Sequence, residues 1–202
     1  MLKKFLSGIS AGVLISIGGC VYLSCENRYI GAVLFSVALI CICMKGYSLY
    51  TGKIGFIPAD HSADAVSGLL LGLAGNAASV TVSGVLLSFA IPDIASAAAA
   101  ACAAKLTQQL LQTAVRAFFC GILMYLAVSI YREKNTAVGI IFCIPVFILS
   151  GFEHSIADMF YFSAAGAFGF REALFILIVV LGNTFGAMLL PLLNWGKKKN
   201  AE

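Results

Sequence analysis

Gly151-Phe152-Glu153-His154-Ser155-Ile156-Ala157-Asp158 sets two adjacent ionisable side chains, Glu153 and His154, with Asp158 one turn after the histidine, at the centre of an otherwise uncharged run from Thr136 to Phe170. On insertion scales a charged group at mid-helix costs roughly 2.5 to 3.5 kcal/mol. Ionisable residues at membrane depth therefore line a pathway or find a partner. The run is too long for one crossing of an apolar layer about 30 Å thick. The sequence predicts a break or a re-entrant turn near Gly151.

The surrounding composition agrees with a bilayer environment. Of 202 residues, 61% are hydrophobic and only 11% charged, with a mean hydropathy of +0.99. Soluble domains carry about 25% charged residues, so that class is excluded, and residues 1–202 read as a single transmembrane domain. The net charge of +4 sits in segments rather than in a basic groove with interleaved aromatics, and no nucleic-acid partner is expected. Seven cysteines, at 20, 25, 41, 43, 102, 120 and 143, contain no CxxC pair, and Cys41-x-Cys43 is too short for a zinc knuckle. They read as small core residues; no metal or other cofactor is expected. The N-terminus, with Lys3, Lys4, an apolar run and Ile17-Gly18-Gly19-Cys20, has the look of a lipoprotein signal, but Phe5 to Cys25 is long enough to span and reads as an uncleaved first helix.

Charged breaks mark six spans: Phe5–Leu23, Ile30–Ile57, Ala65–Ile91, Leu106–Tyr131, Thr136–Phe170 and Ala173–Trp195. The second is interrupted by Lys45 and by Gly46, Gly52 and Gly55, and Pro58 to Asp64 is a loop in which His61 reads as a solvated side chain. Lys3, Lys4, Lys53, Arg132, Lys134 and Lys197 to Lys199 fall on one side, against Arg28, Lys105 and Arg171 on the other. The positive-inside rule then places both termini in the cytoplasm, as expected for a multi-pass protein of the cell (inner) membrane.

An internal repeat is also present. Gly46-Tyr47-Ser48-Leu49-Tyr50-Thr51-Gly52-Lys53 is followed by Gly75-Asn76, as Gly151 to Asp158 is followed by Gly182-Asn183. Each pair falls in the second and third helix of a three-helix half, about 1–91 and 106–196. An odd number of helices per half forces opposite orientations. The expected fold is an all-α membrane protein of six transmembrane helices in two inverted repeats, with broken second and fifth helices lining a site near the midplane.

With these elements in place, nearly the whole chain resembles the formate/nitrite transporter family. Gly151 to Ala157 reads like its fifth-helix signature, and Leu49-Tyr50-Thr51-Gly52 like its second-helix loop, whose threonine faces the central histidine. Gly75-Asn76 and Gly182-Asn183 resemble its third- and sixth-helix motifs, and Arg116 to Cys120 followed by Leu126-Ala127-Val128 its fourth helix. The resemblance implies an aquaporin-like homopentamer, one pore per protomer, passing small monovalent anions of weak acids together with protons. It further implies that Phe35 and Phe147 narrow the pore on either side of His154, that Leu49, Tyr50, Asn76 and Asn183 belong to the pore motifs, and that Lys105 lies in a vestibule. The chain departs from the family at Ser48, where glutamate is usual, at Asp158 and Gly121, where asparagine is, and at Lys45, in an ordinarily apolar position.

The residues themselves support a transport chemistry. His154 is the lone histidine at membrane depth, and histidine is the side chain whose unperturbed titration lies near neutrality; a donor at the narrowest point offsets the cost of desolvating an anion, and Thr51 offers a second. Adjacent helical residues point about 100° apart, so Glu153 is expected to face neighbouring helices in a structural role. Lys105 is expected to concentrate anions at the outer mouth. Lys53 and Asp158 occupy equivalent places in the two halves, and a cross-repeat salt bridge between them is expected, against snorkelling of Lys53 or tuning of His154 by Asp158. Two other classes stay open: a non-transporting assembly or sensor protein, and an intramembrane hydrolase built on Glu153, His154 and Asp158.

Overall fold

A computed structural model describes residues 1–194; the basic run Lys197 to Lys199 and the end of the sixth span at Trp195 lie outside the described residues. The regular elements of the described residues are all helices: α1 (Leu2–Ser24), α2 (Arg28–Lys45), α3 (Tyr50–Lys53), α4 (Ala63–Ala90), α5 (Pro92–Leu106), α6 (Leu110–Lys134), α7 (Val138–Leu149), α8 (Ser155–Ala164) and α9 (Phe170–Leu193), with a 3-10 turn at Ile54–Phe56. By length and composition, α1, α2, α4, α6 and α9 can each cross a membrane, and α7 is a shorter apolar helix.

Both breaks open in the same way. Gly46 and Gly151 have φ of 68° and 69°, a left-handed conformation that costs an L side chain about 1 to 2 kcal/mol. Beside them the amides of Tyr47 and Phe152 donate to the carbonyls of Ile42 and Phe147, each at 3.0 Å, closing the helix with the bond pattern typical of a glycine C-terminus. Three residues of irregular backbone follow, and then a half-helix, α3 or α8.

The alanine-rich stretch from Ala95 to Ala104, between the third and fourth expected spans, belongs to a helix in its own right, α5. Pro92 at its first turn and Asp93 beside it suit a helix start. Its run ends at Leu106, and α6 begins afresh under a capping box of Gln109 and Gln112. Propensity alone did not separate the two, because Ala95 to Tyr131 lacks a glycine or proline at the junction.

Packing is tightest between α1 and α4 and between α6 and α9. A Cβ on Gly75 would run into the Phe5 carbonyl of α1, and one on Gly186 into the Phe118 carbonyl of α6. Small residues let backbones approach where lipid gives no hydrophobic drive to associate. This close approach carries Asn76 and Asn183 into the centre of the molecule, where both are fully buried.

Candidate functional site

Each asparagine bridges one break to a packed helix. Asn76 Nδ2 donates to the carbonyls of Gly8 (2.8 Å) and Ser48 (2.9 Å), and its Oδ1 accepts from the Tyr50 amide at 2.9 Å. Asn183 Nδ2 donates to the carbonyls of Ala117 and Glu153, both at 2.8 Å, and its Oδ1 accepts from the Ser155 amide at 2.9 Å. Irregular backbone strands buried polar groups, and a carboxamide is the side chain that supplies both donors and an acceptor. By these bonds Ser48 corresponds to Glu153, Tyr50 to Ser155 and Leu49 to His154.

The two breaks meet at His154 and Thr51. His154 is the N-cap of α8 and accepts from the Ala157 amide at Nδ1, 3.2 Å away. A ring nitrogen that accepts carries no proton, so a neutral imidazole here bears its hydrogen on Nε2. Nε2 lies 2.8 Å from Thr51 Oγ1 and donates to it in that tautomer. His154 is 2% exposed. Phe147 stacks on the imidazole at 5.6 Å between ring centroids, and Phe35 meets Phe147 edge to face at 6.3 Å. Leu49 is buried in the break, and Tyr50 turns away to α9, its hydroxyl 2.7 Å from Thr184 Oγ1.

Glu153 and His154 both precede α8, in the break rather than on a helix. In extended backbone such as that of His154, φ −113° and ψ 112°, successive side chains point to opposite sides. The directions differ by more than the helical 100° for that reason. Glu153 faces α5, where it pairs with Lys105 and its Oε1 accepts from Gln108 Nε2 at 2.6 Å. Lys105, in the last turn of α5, is only 16% exposed and also pairs with Asp158 at 2.8 Å. One ammonium thus holds two buried carboxylates, with Thr113 bonded to Gln108 behind them and the Tyr161 ring 5.7 Å from the ammonium. The second oxygen of Asp158 has no hydrogen-bond partner.

The expected bridge between Lys53 and Asp158 does not form. Asp158 takes Lys105, and Lys53 Nζ donates to Ser48 Oγ at 2.9 Å within its own break; each finds a nearer partner than the other. The signal missed was Gln108, three residues after Lys105 and able to share the same carboxylate.

On the α3 side a cavity of about 580 Å³ opens from Lys4, Asp60 and Asp64 inward to Leu49, Gly52 and Val128. His154 is not among the residues that line it. Among the described residues no group of three or more His, Cys, Asp or Glu side chains is placed to hold a metal ion, and His61 lies in the loop before α4.

The family model described as formate/nitrite transporter matches residues 1–196. Two solved structures share the fold. A structure titled "FNT family ion channel" superposes with a TM-score of 0.83 at 21% identity, covering 98% of this chain and 90% of that one. One titled "Pentameric formate channel with formate bound" gives 0.78 at 22% identity, covering 100% and 98%. No curated protein matches the sequence.

Proposed function

Because the chain belongs to the formate/nitrite transporter family, a family of multi-pass membrane transporters and not of enzymes, we propose that it is a channel or transporter for small monovalent anions of weak acids, of the formate, nitrite or hydrosulfide class. His154 is the group that controls pH-dependent or proton-coupled passage. The observation that carries this reading is the contact of His154 Nε2 with Thr51 Oγ1. It joins the two breaks at a buried point walled by Phe147. A neutral imidazole held by the Ala157 amide offers an anion one directed N–H, at Nε2, which the anion takes over from Thr51 Oγ1. Protonation at Nδ1 would break the cap on α8, which favours the neutral donor.

The matching bond sets of Asn76 and Asn183 support two inverted halves, about 1–91 and 106–196, in which the broken second helix is α2 with α3 and the broken fifth is α7 with α8. Lys105 and Glu153 stand on one side of the histidine, Leu49 and Tyr50 at the first break, and Phe35 beside Phe147. The pentameric neighbour favours a homopentamer, and the charge bias of the loops favours cytoplasmic termini.

Purified protein in liposomes tests the reading with formate, nitrite and hydrosulfide at several pH values. Wild type is expected to pass at least one of them, and His154→Phe to abolish flux or its pH response while assembling normally. Absence of flux for all three in wild type would sink the channel reading and leave the assembly or sensor alternative. Unchanged flux with an unchanged pH profile in the variant would remove His154 from the mechanism.

A further inference from the structure

The two breaks share one scaffold and carry opposite charge. On the α8 side the single cation, Lys105, is shared by Glu153 and Asp158, so no positive charge is left over for a ligand. On the α3 side the corresponding positions are Ser48 and Lys53. Lys53 is exposed to the 580 Å³ cavity, which Arg132 also lines. Among the described residues no carboxylate lies within 4.0 Å of either cation; the ion pairs there are Lys4–Asp64, Lys105–Glu153 and Lys105–Asp158. The cavity's own acids stand at its rim, Asp64 held by Lys4 at 2.6 Å and Asp60 accepting from the Ser62 amide.

The polar geometry fits an anion. Lys53 Nζ gives one of its three hydrogens to Ser48 Oγ at 2.9 Å and keeps two. Ser48 Oγ, accepting from the ammonium, has its own O–H free to donate. Arg132 lies with its guanidinium 4.1 Å over the Phe56 ring, a stacking that fixes the plane of a group suited to binding two oxygens at once. A glutamate at position 48 would neutralise the ammonium and close this arrangement.

We propose that the α3-side cavity is an anion-binding site, in which Lys53, Ser48 and Arg132 hold one small carboxylate, nitrite or hydrosulfide ahead of the Thr51–His154 constriction. The site deepens the transport reading, on which its place in the pathway rests. It makes capture one-sided: the α3 mouth binds the anion, and the α8 mouth, whose one cation is outnumbered by its two carboxylates, does not.

Two readouts on the full-length protein test it with formate as the probe. In detergent, at ionic strength held constant with gluconate, formate is expected to raise the unfolding temperature of wild type and of Lys53→Arg. That gain should vanish in Lys53→Gln and shrink in Arg132→Gln. In liposomes, the apparent KM for formate is expected to rise about fivefold in Lys53→Gln, the worth of one unit charge at contact distance in water, and to stay near wild type in Lys53→Arg. Equal formate stabilisation and equal KM in wild type and Lys53→Gln would overturn the site. The stabilisation arm does not need flux: a wild type that binds formate through Lys53 yet passes no anion would keep the site and sink the transport reading.

Discussion

The break between α2 and α3 and the break between α7 and α8 are built alike and filled differently. Both start at a left-handed glycine, both are braced by an asparagine with three hydrogen bonds, and both end in a half-helix. The backbone frame is therefore separable from the charges it displays. One frame carries a cation facing an open cavity; the other carries a buried triad of Lys105, Glu153 and Asp158 that is 1 to 2% exposed at its carboxylates.

The strongest way to break this comparison is through the asparagines. Asn76→Leu and Asn183→Leu each remove three hydrogen bonds and strand a carbonyl and an amide of the break in the protein interior, those of Ser48 and Tyr50 or of Glu153 and Ser155. A buried group left unsatisfied costs about 1 to 3 kcal/mol, so neither variant is expected to yield a folded assembly by size exclusion in detergent. Asn→Asp keeps an acceptor for the amide but turns an acceptor toward the two carbonyls, and should fail likewise. A tolerated change at Asn76 beside a lethal one at Asn183 would show that the two frames are not equivalent.

Charge removal sharpens the contrast. Lys105→Met leaves two carboxylates buried without a cation, a loss of about 3 to 5 kcal/mol, read as a large drop in unfolding temperature. Adding Glu153→Gln and Asp158→Asn to it should recover most of that loss. Asp158→Asn alone keeps an oxygen for Lys105 and removes the surplus negative charge, so it is expected to cost within about 1 kcal/mol. Lys53→Met, on an exposed side chain, should stay within about 0.5 kcal/mol. If Lys53→Met destabilised as much as Lys105→Met, Lys53 would be holding the fold together and could not be the free cation of the cavity.

The sequence made the frame legible and left the charges obscure. Gly151 and the length of Thr136 to Phe170 marked one break; Gly46 and the repeated Gly-Asn spacing marked the other, because backbone conformation and close helix approach impose residue types locally. Pairing across the fold follows from reach and direction instead. Lys105 meets Glu153 and Asp158 only because α5 is a separate helix lying against α8, and that helix was not visible in an alanine-rich run. Equivalence of Lys53 and Asp158 argued against their pairing: under the inverted arrangement proposed above, equivalent residues past the breaks lie on opposite sides of the midplane.

The smallest predicted effect concerns the glycines that open the breaks. At φ near +68° a Cβ costs about 1 kcal/mol or a little more from its own backbone alone. Around Gly46 no other atom lies within 4 Å of where that Cβ would sit, and around Gly151 the nearest is Arg116 Nη1 at 3.6 Å, an ordinary contact. Gly46→Ala and Gly151→Ala should therefore lower stability by the same amount, roughly 1 kcal/mol each, and asparagine at either site should cost less because it tolerates the left-handed region. Thermal unfolding of the four single variants checks this. A loss several times larger at Gly151 than at Gly46 would mean that Gly151 does more than turn the chain: the Arg116 guanidinium, 3.5 Å from the Gly151 carbonyl, would then be a second brace that the first break lacks.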